Sequence, residues 1–87
     1  MNSNIEELKK KILYRSNYRG TKEMDKLLSS FVKKYIETFD HQSLKDLEKF
    51  LDLDDEKIYN FYNGANNHID FKNTVILDYF KNFKIND

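Results

Sequence analysis

The sequence predicts an all-α fold, a small single-domain bundle of five helices spanning residues 1–87. Three observations carry that prediction. Proline is absent and glycine occurs only at Gly20 and Gly64, so the chain has few helix breakers. Apolar residues recur at helical spacing in segment after segment. A chain of 87 residues is long enough for one domain with one modest core. Six Tyr and seven Phe stand in for aliphatic bulk, so that core is expected to be aromatic.

Ser3 followed by Glu6 is a capping-box signature, and Ile5, Leu8, Ile12 and Leu13 follow at helical spacing. The first helix is expected over about residues 4–17. Lys9, Lys10, Lys11, Arg15 and Arg19 fall in its later part and at its end, where cations suit the negative end of the helix dipole. Gly20 permits a sharp elbow through a backbone conformation closed to other residues. A second helix starts near Thr21, with Glu23 and Asp25 in its first turns. Met24, Leu27, Leu28, Phe31, Tyr35 and Phe39 make one stripe, which Val32 and Ile36 widen. A stripe this broad marks the central helix of a bundle.

Asp40, His41 and Gln42 make a polar break, and Ser43 with Asp46 offers an N-cap pair for a third helix. Leu44, Leu47, Phe50 and Leu51 line it. Asp54, Asp55 and Glu56 give a fourth helix an acidic start. Ile58, Phe61 and Tyr62 are its apolar side, and Gly64 closes it just past the end. Residues 65–70 form the longest loop. A fifth helix carries Phe71, Val75, Ile76, Tyr79, Phe80 and Phe83, and the last few residues are expected to fray.

Composition excludes several function classes. Without cysteine there is no disulfide framework and no thiolate metal site. No stretch approaches the ~20 apolar residues of a membrane span, and the N-terminus lacks a secretory pattern. A cytoplasmic protein with no membrane insertion is expected. His41 and His68 lack ligand spacing, and His68 near Asp70 reads as a solvated loop histidine. There is no phosphate-binding glycine loop, and Ser16, Ser29, Ser30 and Ser43 have no nucleophile context. Glu23 and Asp25 diverge by about 200° on a helix, which is not a general acid/base geometry. No catalytic residue, resident cofactor or metal site is expected, and the chain is not read as an enzyme.

The zero net charge hides an asymmetry. Residues 1–35 hold nine Lys/Arg against four Asp/Glu, a net +5, and residues 36–87 hold six against eleven, a net −5. Lys9–Lys11, Arg15 and Arg19, interleaved with Tyr14 and Tyr18, admit a nucleic-acid or regulatory binding module on the first helix. A solvated helix face is the favoured reading, because the acidic second half would otherwise have to face away. No nucleic-acid partner is expected.

The elbow at 18–25 carries two readings of equal weight. Arg15 and Arg19 end one helix while Glu23 and Asp25 open the next. As corner glue, surface pairs of this kind are worth about 0–1 kcal/mol each. An exposed loop presenting both charge signs on rigid helices is also what a recognition site looks like.

Here the sequence resembles a known family. Leu13-Tyr14-Arg15-Ser16, then Arg19-Gly20-Thr21-Lys22-Glu23-Met24-Asp25, then Leu27-Leu28 and Phe31, resemble the signature of the SdhE-type FAD assembly factors. These are the bacterial relatives of mitochondrial succinate dehydrogenase assembly factor 2. A second block agrees: Leu47–Leu51, Asp54-Asp55, and Ile58 through Gly64 are similar to the family's acidic turn and aromatic fourth helix. Phe61 departs from the usual Trp, Tyr18 from a basic residue or His, and the loop after Gly64 lacks a common proline.

The resemblance implies a five-helix bundle that binds the flavoprotein subunit of succinate dehydrogenase and promotes its covalent flavinylation; separately, the chain is expected to be a monomer. Fumarate reductase is a further client that the resemblance implies. FAD would be attached to the client, with no cofactor held by this chain. The implied partner-binding residues are Arg19, Gly20, Glu23 and Asp25, flanked by Arg15 and Tyr14, with Phe61 modulating affinity. Arg19 would reach an acidic or carbonyl group of the client. Gly20 would let the client backbone approach. Glu23 and Asp25 would bond client cations or orient Arg19.

Overall fold

The computed structural model describes residues 2–64, 69 and 71–85. It has five helices: α1 (Asn2–Ser16), α2 (Lys22–Tyr35), α3 (His41–Phe50), α4 (Asp55–Tyr62) and α5 (Thr74–Asn82). No strand occurs among the described residues. The molecule measures 41 × 26 × 22 Å.

Local chemistry sets where the helices begin and end. α1 starts at Asn2, so Ser3 lies inside the helix and not at its cap. Thr21 has the extended backbone of an N-cap, and its Oγ1 accepts the Met24 N–H at 3.2 Å, starting α2 where expected. α2 stops at Tyr35, short of Phe39. The amides of Thr38 and Phe39 both donate to the Tyr35 carbonyl, at 2.9 and 3.1 Å, and close the chain into a turn. Asp40, not Ser43, caps α3: its carboxylate accepts the Ser43 N–H at 2.9 Å. That bond holds the Asp40 carboxyl below its ordinary range. Gly64, at φ 76°, takes the left-handed position just past the α4 C-cap Asn63, as expected. Asn73 caps α5, accepting the N–H groups of Val75 and Ile76 at 3.0 and 3.2 Å. Phe71 therefore precedes α5. The reading of His68 as a solvated loop histidine, and the expected fraying at 86–87, fall outside the described residues.

α1 lies against α2 and α3, and α5 lies against α3 and α4. Phe31 of α2 sits at the centre, with ring centroids 6.4 Å from Phe50, 5.1 Å from Phe80 and 5.5 Å from Phe83. Phe31, Phe50 and Phe80 are fully buried, so the core is aromatic as composition predicts. α5 turns Ile76, Leu77 and Phe80 inward, while Val75 and Tyr79 are exposed. The α5 stripe is thus rotated from the expected one.

The acidic half does not face away from the basic helix. Lys9 meets Glu37 at 2.7 Å, Lys11 meets Glu48 at 3.2 Å, and Arg15 meets both Glu48, at 3.9 Å, and Asp52. The Glu37 hydrogen bond raises the Lys9 ammonium above its ordinary pKa. The charge dipole written along the sequence is folded onto itself.

Candidate partner-binding site

The elbow is built from the last turn of α1. The Leu13 carbonyl accepts from Ser16 Oγ and Asn17 Nδ2, both at 2.8 Å, and the Tyr14 carbonyl accepts the Asn17 N–H at 3.2 Å. These bonds satisfy carbonyls that a helix end leaves without partners. The chain then turns at Tyr18, whose φ of 56° is left-handed. Tyr18 makes the elbow, and Gly20 has no positive φ. The expectation that Gly20 supplies the turn is corrected on that point.

Arg19 points into the molecule. Its side chain is only 12% exposed. Nε and Nη2 donate to Asp55 Oδ1 at 2.8 and 2.6 Å. Nη1 donates to the Leu51 carbonyl at 2.8 Å and to the Arg15 carbonyl at 3.3 Å, and Nη2 to the Leu53 carbonyl at 3.2 Å. One guanidinium therefore ties the end of α1, the α3–α4 connection and the start of α4. The Arg19 backbone N–H donates to Asp25. Arg19 thus spends its fork inside the chain, where the resemblance implied contact with a client group. Asp25 orients the Arg19 backbone.

Gly20 sits tightly against Asp55. Its N–H donates to Asp55 Oδ2 at 2.9 Å, and a Cβ at this position would lie 3.2 Å from that same oxygen. Above this edge the surface is open. Tyr14 and Tyr18 are 68% and 77% exposed, with ring centroids 5.1 Å apart. They border a concavity of about 540 Å³ shared with Arg15, Gly20, Asp54 and Asp55. Thr21, Glu23, Met24, Asp55, Glu56 and Tyr59 line a second one of about 400 Å³.

The structure thus gathers Tyr14, Arg15, Arg19, Gly20 and Asp25 at one corner, with Glu23 on the adjoining concavity. It does not bring Phe61 there. Phe61 is 7% exposed and belongs to the core, because it lies one turn beyond Ile58 on the buried side of α4. The exposed aromatic of that helix is Tyr59. Sequence reasoning missed Asp55 and Tyr59. Asp55 read as one of three acids suiting a helix start, and no spacing rule links residues 36 apart. Among the described residues no group of three or more His, Cys, Asp or Glu side chains could hold a metal ion.

A family model described as flavinator of succinate dehydrogenase matches residues 10–84, most of the chain. The chain belongs to that family. The chain is also similar to curated proteins each called succinate dehydrogenase assembly factor 2, mitochondrial. The chain is 37% identical to the one from Debaryomyces hansenii over 75 residues, covering 86% of this chain and 49% of that protein. It is 41% identical to the one from Dictyostelium discoideum over 59 residues, 68% of this chain and 42% of the other. The match to the Aspergillus terreus protein is 38% over 52 residues, 60% of this chain and 18% of the other. The chain thus spans half or less of the length of these relatives. No solved structure matches it. Among the described residues no helix is long and apolar enough to cross a membrane, so the flavinator fold here is a bundle without a spanning helix.

Proposed function

We propose that this chain binds the flavoprotein subunit of succinate dehydrogenase and promotes the covalent attachment of FAD to it. The flavoprotein of fumarate reductase is a client of the same kind. The observation that carries this reading is the corner itself. Two tyrosines more than two-thirds exposed stand beside a glycine edge that an internal arginine–aspartate clamp holds rigid. Exposed aromatics on a preorganised support are what an interface centre uses, since little ordering entropy remains to be lost.

In this reading the client meets Tyr14, Tyr18, Arg15, Gly20 and Glu23. Arg19, Asp25 and Asp55 stand behind and hold the shape. The bond between flavin and protein is made by the chemistry of the flavin and the client, and FAD is joined to the client and not retained by this chain. The chain acts as a monomeric chaperone and not as an enzyme. It favours the client conformation in which attachment proceeds, which requires only that it bind that conformation more tightly than others.

The test is co-expression of the flavoprotein with and without this chain, followed by flavin fluorescence in a denaturing gel. Covalent fluorescence at the flavoprotein's size should depend on the chain and fall with Tyr14→Ala plus Tyr18→Ala. Equal fluorescence with and without the chain sinks the proposal.

A further inference from the structure

Asp55 has an arrangement that helix-start chemistry does not require. An acid in the first turn of a helix gains from the dipole wherever its carboxylate points. This carboxylate points away from its own helix and across to the elbow. Oδ1 takes both Nε and Nη2 of Arg19, and Oδ2 takes the Gly20 N–H. Its side chain is 28% exposed, and that of Arg19 is 12% exposed. Two consecutive residues of the elbow are therefore held by the two oxygens of one carboxylate from another helix. The same Oδ2 lies 3.2 Å from the place a Cβ on residue 20 would occupy. An alanine there would force the oxygen to move by a few tenths of an ångström and lengthen the bonds it makes. The concavity that Gly20 lines and the one lined by Thr21 and Glu23 share Asp55 in their walls, so its position helps set the shape of each.

We infer that Asp55 is the positioning residue of the partner-binding elbow. It holds the Arg19 side chain and the Gly20 amide in one geometry, and it is the reason that residue 20 is glycine. The requirement for glycine then comes from within the chain before any client is present. The consequence for the client rests on the function proposed above. A displaced Asp55 alters the face that Tyr14, Tyr18 and Gly20 offer.

Two experiments on the isolated chain test the grip, and one with the client tests its consequence. The chain has only two glycines, so the glycine amides in a proton–nitrogen spectrum reduce to Gly20 and Gly64. In Asp55→Ala and in the isosteric Asp55→Asn, the Gly20 amide proton should move upfield as its charged acceptor is lost, while Gly64 stays. A Gly20 amide that stays in both variants overturns the inference. In thermal melts, Gly20→Ala should lower Tm in the natural background and leave it unchanged on top of Asp55→Ala. An equal loss in both backgrounds, or none in either, overturns the steric argument. If Asp55→Ala does not fold, the amide shift in Asp55→Asn decides alone.

With the client, Asp55→Asn should lower the covalent flavin signal at matched amounts of folded chain. If the Gly20 amide moves and the flavin signal does not, Asp55 holds an elbow that the client does not read, and the positioning role is overturned. If the natural chain itself yields no chain-dependent flavin, the proposed function fails while the amide still decides the grip.

Discussion

At Tyr18 the backbone is held in the left-handed region, where an ordinary L-residue costs about 1–2 kcal/mol. Asn occupies that region far more readily than Tyr. A chain shaped only for stability would gain from Asn here, so the tyrosine is best explained by what it presents. Strain of this kind collects at binding sites, where the surrounding structure over-determines the conformation. Tyr18→Asn should therefore leave Tm unchanged or raise it, while weakening capture of the flavoprotein in a pull-down. A fall in Tm that tracks the loss of capture would show that the ring serves stability through its contact with Tyr14. The residue scale also shows what sequence could and could not say. Arg19 and Gly20 were identifiable as the middle of the elbow. Their roles were not, because the partner of both is Asp55, brought from a distance only by the fold. Of the two readings of the elbow, the structure bears on corner glue: Arg19 is turned inward onto Asp55 and the Leu51 carbonyl, while Tyr14 and Tyr18 are left exposed.

At the scale of elements, the five helices were legible because their apolar residues repeat at a spacing that only a helix buries. Their ends were less so. A boundary is decided by which of several nearby polar side chains captures a free amide, and Asp40 and Ser43 were both eligible for α3. The structure settles it in favour of Asp40, whose carboxylate takes the Ser43 amide. The assignment has a pH signature. The Asp40 carboxyl is held below its ordinary value of 3.8 by the Ser43 hydrogen bonds. A carboxyl depressed in the folded state contributes stability that is fully present above the unfolded pKa and is lost as pH falls through the folded pKa. Melting followed from neutral pH downward should show Asp40→Asn losing less Tm on acidification than the natural chain, since Asn keeps a capping oxygen and has no proton to gain. Asp40→Ala should begin lower and lose less as well. Parallel acid curves for all three would remove Asp40 from the cap. The α5 stripe was misread for a related reason. Val75 and Tyr79 fit the helical period but sit one position off the side that faces Phe31, and periodicity alone does not say which face the core will take.

For the molecule as a whole, the decisive feature is that the basic beginning and acidic remainder of the sequence meet face to face. Glu48 is the pivot, lying 3.2 Å from Lys11 and 3.9 Å from Arg15, with Asp52 taking the other side of Arg15. Each such pair at a surface is worth only about 0–1 kcal/mol, so the seam between α1 and α3 cannot owe its existence to charge. Buried Ile12, Leu44 and Leu47 supply the adhesion. What the charges do is set the potential seen from outside. A bare basic helix with two tyrosines would attract phosphate backbones, whereas one already covered by carboxylates presents a much weaker field within the screening length of about 8 Å at physiological salt. The natural chain should therefore give no shift with single-stranded RNA at physiological salt. Glu48→Gln combined with Asp52→Asn keeps the shapes, uncovers Lys11 and Arg15, and should produce weak binding that vanishes as salt is raised. Its helical content should be unchanged and its Tm should fall only slightly. A salt-sensitive shift by the natural chain would instead restore the reading of α1 as a nucleic-acid module, because the field would then have escaped the carboxylates that pair with it in the folded geometry.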